Sequence, residues 1–397
     1  MTDTPPISRD QRRARALQYV AALDGLRALA ALGVVIIHTE SEADASILTY
    51  VITGTLTGPL FMLFFAISGF VLYRGWARKH LAMTDGAPRA RASAAGGADG
   101  RTSKYLLRRL LRIYPLYWVV ATTALLVADT DHAIGPMDLV QVYLLLPFPD
   151  PDALLSLGLG IVVWTLIIDI VFYVYVAIHG PAMTAVIRRL RHRATPYQIE
   201  TAVLLGMSAA ILVGALFVPA PLSALVCLPI GMWFAVIEAE QDRLGRRLAG
   251  VDAMVNAWPL WLGGFIVIAP MIDVIAVQAS DYGEFLSSMA GIHMLLVLAG
   301  ILLFINVLWG PRHWPLQRFL ESPFMRTAGL LTYGTYLWHP VVLIVLHQRA
   351  PDGGMLLYQV VTVVGSIALA SITYVLVERP LSSVRLQMRR PDRAPAP

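Results

Sequence analysis

Long apolar runs separated by short polar connections dominate the chain. Runs begin near Ala21, Leu56, Ile113, Leu155, Thr201, Leu222, Ala257, Gly291, Gly329 and Leu356. A bilayer-crossing helix needs about 20 predominantly apolar residues, so about ten of these runs are long enough to span. Backbone polar groups inside lipid must be satisfied within the segment, which favours helix. The pattern therefore predicts an all-α, polytopic membrane bundle of about ten transmembrane helices. The Thr201 and Leu222 runs count separately because Pro219 and Pro221 stand between them. The small, polar, Gly- and Ala-rich stretch 82–103 reads as a flexible loop. The connection around Ala128 to Ala153, the longest on its side, is too short to fold alone. The polar start lacks a small-residue cleavage site and does not read as a signal peptide. The expected division is a tail over 1–20, a membrane domain over 21–385 and a second tail over 386–397.

Composition agrees and adds an orientation. Of 397 residues, 57% are hydrophobic and only 14% charged, against about 25% charged in an ordinary soluble domain. Disorder needs low hydrophobicity and is excluded for the bulk of the chain. A single cysteine, Cys227, excludes a disulfide scaffold and reads as a small packing residue. The net charge of +5 could suggest nucleic acid on a soluble protein, but the cations are sorted by side. Arginines cluster in the N-terminal tail, after the second, fourth, sixth and eighth runs, and in the C-terminal tail. Of the loop cations, Arg349 alone falls on an opposite connection, and those connections carry acids such as Glu40, Asp44, Asp131, Asp150 and Asp281. By the positive-inside rule both termini are cytoplasmic and the protein is multi-pass in the inner (plasma) membrane, with no nucleic-acid partner.

Polar groups within apolar runs carry the candidate chemistry, because charge at the bilayer centre costs about 2.5–3.5 kcal/mol on insertion scales. Arg27 and His38 are eleven residues apart. On a helix that separation is about 1100°, three turns plus roughly 20°, so both face one way, ~16 Å apart along the axis. His38 marks either an interface or a deeper functional position. Ser68, beside Gly69, fits close helix packing and lies outside a nucleophile elbow. Arg109 and Arg112 share a face ahead of Pro115 and Tyr117. They read either as a snorkelling topogenic flank or as a guanidinium clamp for phosphate. Asp169 sits mid-run beside Trp164 and calls for a cationic or imidazole partner. His339 reads as a structural hydrogen-bonding group. Glu378, Arg379 and Pro380 are expected to end the last helix, with Glu378 paired to a nearby cation.

Taken together, these residues resemble the integral-membrane acyltransferase-3 family of O-acyltransferases. The resemblance covers most of the chain: LDGLRALAALGVVIIH, FFAISGFVL, Arg109-x-x-Arg112-Ile-x-Pro115-x-Tyr117, WTLIIDIVFY, GTYLWHP and VERP. In the family the fourth motif usually reads Trp-Ser-Leu-x-x-Glu. Here it reads Trp164-Thr165-Leu166-x-x-Asp169, a carboxylate one methylene shorter. The esterase-like domain fused to some members has no counterpart here.

The resemblance implies a membrane O-acyltransferase, usually an acetyltransferase. It would take its acyl group from cytoplasmic acyl-CoA and deliver it to a hydroxyl of an envelope glycan or glycolipid, without a metal. It implies His38 as general base, with Arg27, Arg109, Arg112 and Tyr117 binding the CoA portion; Asp169, at a similar depth in the membrane, is expected to support the imidazole. An acyltransferase acting on a small secondary metabolite such as a macrolide remains an alternative acceptor class. A transporter or flippase is the competing reading of a different class.

Overall fold

The computed structural model describes residues 9–42, 47–84, 102–128, 134–146, 158–214, 224–257, 297–311 and 313–382. No strand occurs among them. Helices run over α1 (Arg9–Glu42), α2 (Ile47–Leu81), α3 (Thr102–Val127), α4 (Pro136–Leu144), α5 (Gly160–Leu190), α6 (Pro196–Gly214), α7 (Cys227–Leu244) and α8 (Ala249–Asn256). They continue with α9 (Val297–Trp309), α10 (Pro315–Leu320), α11 (Pro323–Arg349) and α12 (Met355–Thr373), which a π-helical segment, Tyr374–Glu378, prolongs. Among the described residues, eight helical stretches are long and apolar enough to cross a membrane. The predicted run near Ala257 lies outside the described residues, as do most of stretch 82–103 and the second tail. The run near Gly291 is described only from Val297, as α9. The Thr201 and Leu222 runs are two helices, α6 and α7, as predicted from their prolines.

The chain divides into two compact units. The first takes residues up to Gly33, then Ile47–Gly96 and Ala182–Gly329. In it α2 and α7 pack closely because glycines face backbone on both sides. A Cβ on Gly69 would collide with the Leu228 carbonyl, and one on Gly231 with that of Ala66. Close backbone approach through small residues is how helices associate in lipid, where apolar burial supplies no drive. Charge secures the same pair: Arg74 donates to both oxygens of Glu238, and Arg78 to Asp242 at 3.2 Å. Phe304 of α9 stacks edge-on against Phe70 at 5.7 Å and lies beside Phe234 at 5.8 Å.

The second unit takes Val34–Ser46, Gly97–Pro181 and Leu330–Pro397. Its helix α12 has the polarity of a membrane element. Tyr358, Thr362, Ser366, Ala370 and Thr373 are buried, whereas Val360, Val364, Ile367 and Ile372 are exposed. Trp338 Nε1 donates to Thr373 Oγ1 at 3.2 Å, holding α11 against α12. Within the connection after α3, α4 is held by its C-terminal carbonyls, which a helix end leaves without internal donors. Tyr114 donates to Leu144 O, Tyr117 to Val142 O and Trp118 to Tyr143 O, at 2.7, 2.7 and 2.9 Å. The predicted stop at Pro380 requires correction: the helical course runs on to Ser382. The wider π turn just before it changes the hydrogen-bond register, so a residue without an N–H is accommodated.

Candidate active site

His38, near the end of α1, and His339, on α11, meet in the second unit. Nδ1 of His38 lies 2.9 Å from Nε2 of His339, and the rings stack with centroids 5.1 Å apart. His339 is fully buried. Its own Nδ1 lies 2.7 Å from the carbonyl oxygen of Tyr336. A carbonyl only accepts, so Nδ1 of His339 carries the proton. With both rings neutral, Nε2 of His339 holds a lone pair and accepts from Nδ1–H of His38. The lone pair of His38 is thereby assigned to Nε2, the nitrogen a general base would use.

The dipeptide His339-Pro340 explains why that carbonyl is open to a side chain. In a regular helix the Tyr336 carbonyl would accept from the N–H of residue 340. Proline has none. α11 stays helical through Pro340, and the imidazole of His339 supplies the missing donor. A second layer fixes Tyr336 itself. Thr165 Oγ1 donates to Val162 O at 2.8 Å, so the 2.6 Å contact between Thr165 and Tyr336 is donated by the tyrosine hydroxyl. α5, α11 and α1 thus share one chain of hydrogen bonds: Thr165, Tyr336, His339, His38.

Asp169 lies one helical turn beyond Thr165 on α5 and is half-buried. Its charge acts on Tyr105, Tyr173, Tyr333 and Tyr336. The nitrogen at which an orienting carboxylate would hold His38 carries His339 instead. The half-buried guanidinium of Arg109 lies over the rings of Tyr105 and Tyr173, each 5.7 Å from the centroid. Arg112 is exposed. Arg27 belongs to the first unit, where it pairs with Asp24 at 3.2 Å one turn earlier in α1.

Tyr117 stands apart from the expected clamp. It is fully buried and its hydroxyl donates to Val142 O at 2.7 Å, which ties α3 to α4. Ser68 lies in the first unit, half-buried beside the Gly69 contact with α7. Trp164 is half-buried on α5, next to Thr165. Glu378 closes the π segment and acts on Tyr333, while Arg379 is exposed. Tyr336, Thr165 and Pro340 lie inside quoted motifs but received no role from the sequence. Their contribution depends on one carbonyl, and spacing does not reveal it. No cluster of His, Cys, Asp and Glu suited to a metal occurs among the described residues.

No curated protein and no solved structure matches the chain. A family model described as an acyltransferase domain matches residues 20–375, nearly the whole length. The chain is therefore a multi-pass membrane protein that belongs to the acyltransferase-3 family.

Proposed function

We propose that the protein is an O-acyltransferase that moves an acyl group, most simply acetyl, from cytoplasmic acyl-CoA to a hydroxyl of an envelope glycan or glycolipid. The observation that carries this reading is the His38–His339 contact, which assigns a basic lone pair to Nε2 of His38 inside a family acyltransferase. In the reaction, His38 Nε2 takes the proton of the acceptor hydroxyl as its oxygen attacks the thioester carbonyl. The carbon–sulfur bond breaks, and the same proton passes to the departing CoA sulfur, leaving an ester and free CoA. General-base catalysis of this kind contributes about 10²–10⁴-fold. Asp169 would add a carboxylate to the surroundings of the site, among neutral tyrosines. Arg109 and Arg112 of the second unit supply cations for the CoA phosphates, and Arg27 of the first unit is assigned to the CoA portion by the family resemblance alone. Both termini face the cytoplasm, consistent with the arginines on their side of the chain.

The acceptor is tested by mass spectrometry of envelope glycans and glycolipids with and without the gene. Loss of one acetyl ester from a single glycan species upon deletion is the expected result. An unchanged glycan and glycolipid profile contradicts the acceptor class.

A further inference from the structure

The first unit holds a cleft, of about 780 Å³, where the ends of α2 and α5 meet the start of α6. Small-molecule pockets usually span about 300–1,000 Å³, so its size suits an organic ligand. Its base is apolar: Met183, Ile187 and Ile199 are buried there with Met83 packed against them. Beneath lies a fully buried polar lock. Glu200 of α6 accepts from the Tyr73 hydroxyl at 2.8 Å and bonds Nδ1 of His80, both of α2. The other nitrogen of His80 lies 2.9 Å from Thr184 Oγ1 of α5. All three walls are thereby fixed by side chains on helices, so the cleft is preformed.

Its lining includes Arg188, Arg191, His192 and Arg193 and contains no acid. Among the described residues, none of these four has a side-chain hydrogen bond or ion pair. Elsewhere in the same unit Arg74, Arg78, Arg243 and Arg247 each face a carboxylate. The start of α6 adds little of its own. Thr195 and Gln198 cap it reciprocally, with Gln198 Oε1 accepting from Thr195 N at 2.9 Å and Thr195 Oγ1 from Gln198 N at 3.3 Å. Recognition would therefore rest on guanidinium forks, whose planar donor pairs match phosphoryl oxygens.

We propose that this cleft binds a ligand bearing two or more phosphoryl groups. Arg188, Arg191 and Arg193 are exposed at the cleft, and three guanidiniums without a paired carboxylate form a positive field that favours a multivalent anion. Such a ligand reaches the cleft either as a free phosphorylated molecule or as an anionic lipid headgroup.

The test uses the purified full chain in phosphatidylcholine nanodiscs and reads binding, so it stands apart from whether acyl transfer occurs. Inositol 1,4,5-trisphosphate, which shares no part with CoA, is titrated calorimetrically as the free source. Nanodiscs containing phosphatidylglycerol test the lipid source by native mass spectrometry. R188A/R191A/R193A removes the cleft cations, and R246A/R318A/R326A removes three exposed cations elsewhere. The milder R191Q/R193Q pair keeps the test decisive should the triple variant not fold.

Saturable inositol trisphosphate binding that weakens at least tenfold in the cleft variant, but less than threefold in the control, identifies a free ligand. Selective phosphatidylglycerol retention, lost in the cleft variant alone, identifies a lipid headgroup. Neither probe binding, either probe binding the cleft variant as well as wild type, or equal loss in the control overturns the proposal.

Discussion

His339 separates a structural from a positioning role. It is buried and makes two hydrogen bonds, both to groups of its own unit. Were it only packing, replacement by a side chain of similar size would leave catalysis intact. Positioning predicts otherwise. His339→Gln, whose amide can donate to Tyr336 or accept from His38, is expected to keep a measurable fraction of kcat. His339→Leu, which does neither, should lower kcat by at least about tenfold, below the 10²–10⁴ of the base itself, with KM for acyl-CoA unchanged. Steady-state kinetics on the two variants checks this, and equal rates would place His339 in the packing. Tyr117 makes the opposite case. Tyr117→Phe removes the 2.7 Å donor of the Val142 carbonyl and leaves it only the 3.3 Å bond from Leu145 N–H; it should lower stability by about 1 kcal/mol, with the turnover of folded protein unchanged. Thermal unfolding read beside activity distinguishes the two effects.

On the scale of helices, Pro340 links local backbone chemistry to the candidate base. Pro340→Ala restores an N–H that competes with His339 for the Tyr336 carbonyl. The variant is expected to unfold at a higher temperature, because a helix-interior proline is unfavourable by about 3 kcal/mol, and yet to turn over more slowly. A gain in both quantities would show that the carbonyl plays no part in orienting His339. Glycine at the α2–α7 contact is the corresponding packing feature: Gly231→Val should push α7 from α2, with loss of folded protein in a size-exclusion assay. Helices such as these were legible in the sequence. Apolar length revealed the spans, Pro219 and Pro221 separated α6 from α7, and Gly69 announced close packing. Pro380 misled, because the π turn that accommodates it leaves no compositional mark. The partner of His38 was also hidden. His38 and His339 are 301 residues apart, and helical periodicity relates only residues on one helix. The buried lock of Tyr73, His80 and Glu200 escaped for the same reason.

Over the whole molecule, the sorted arginines make a prediction about orientation. Positions between α5 and α6 should be cytoplasmic, and those between α11 and α12 should face the other side. Cys227 is buried and does not compete for labelling reagents. Thr195→Cys and Asp352→Cys, both exposed, are therefore expected to react with a membrane-impermeant maleimide from opposite faces of intact cells and inverted vesicles. Labelling of both from one face would contradict the orientation. Catalysis is the claim on which the rest of the functional account depends. It is tested most directly by acyl transfer from labelled acyl-CoA to an extracted glycolipid acceptor, with purified wild-type protein and His38→Ala compared in the same nanodiscs. Transfer by wild type and a fall in kcat of at least about 10²-fold in His38→Ala is the predicted result. Transfer by His38→Ala at the wild-type rate would contradict it.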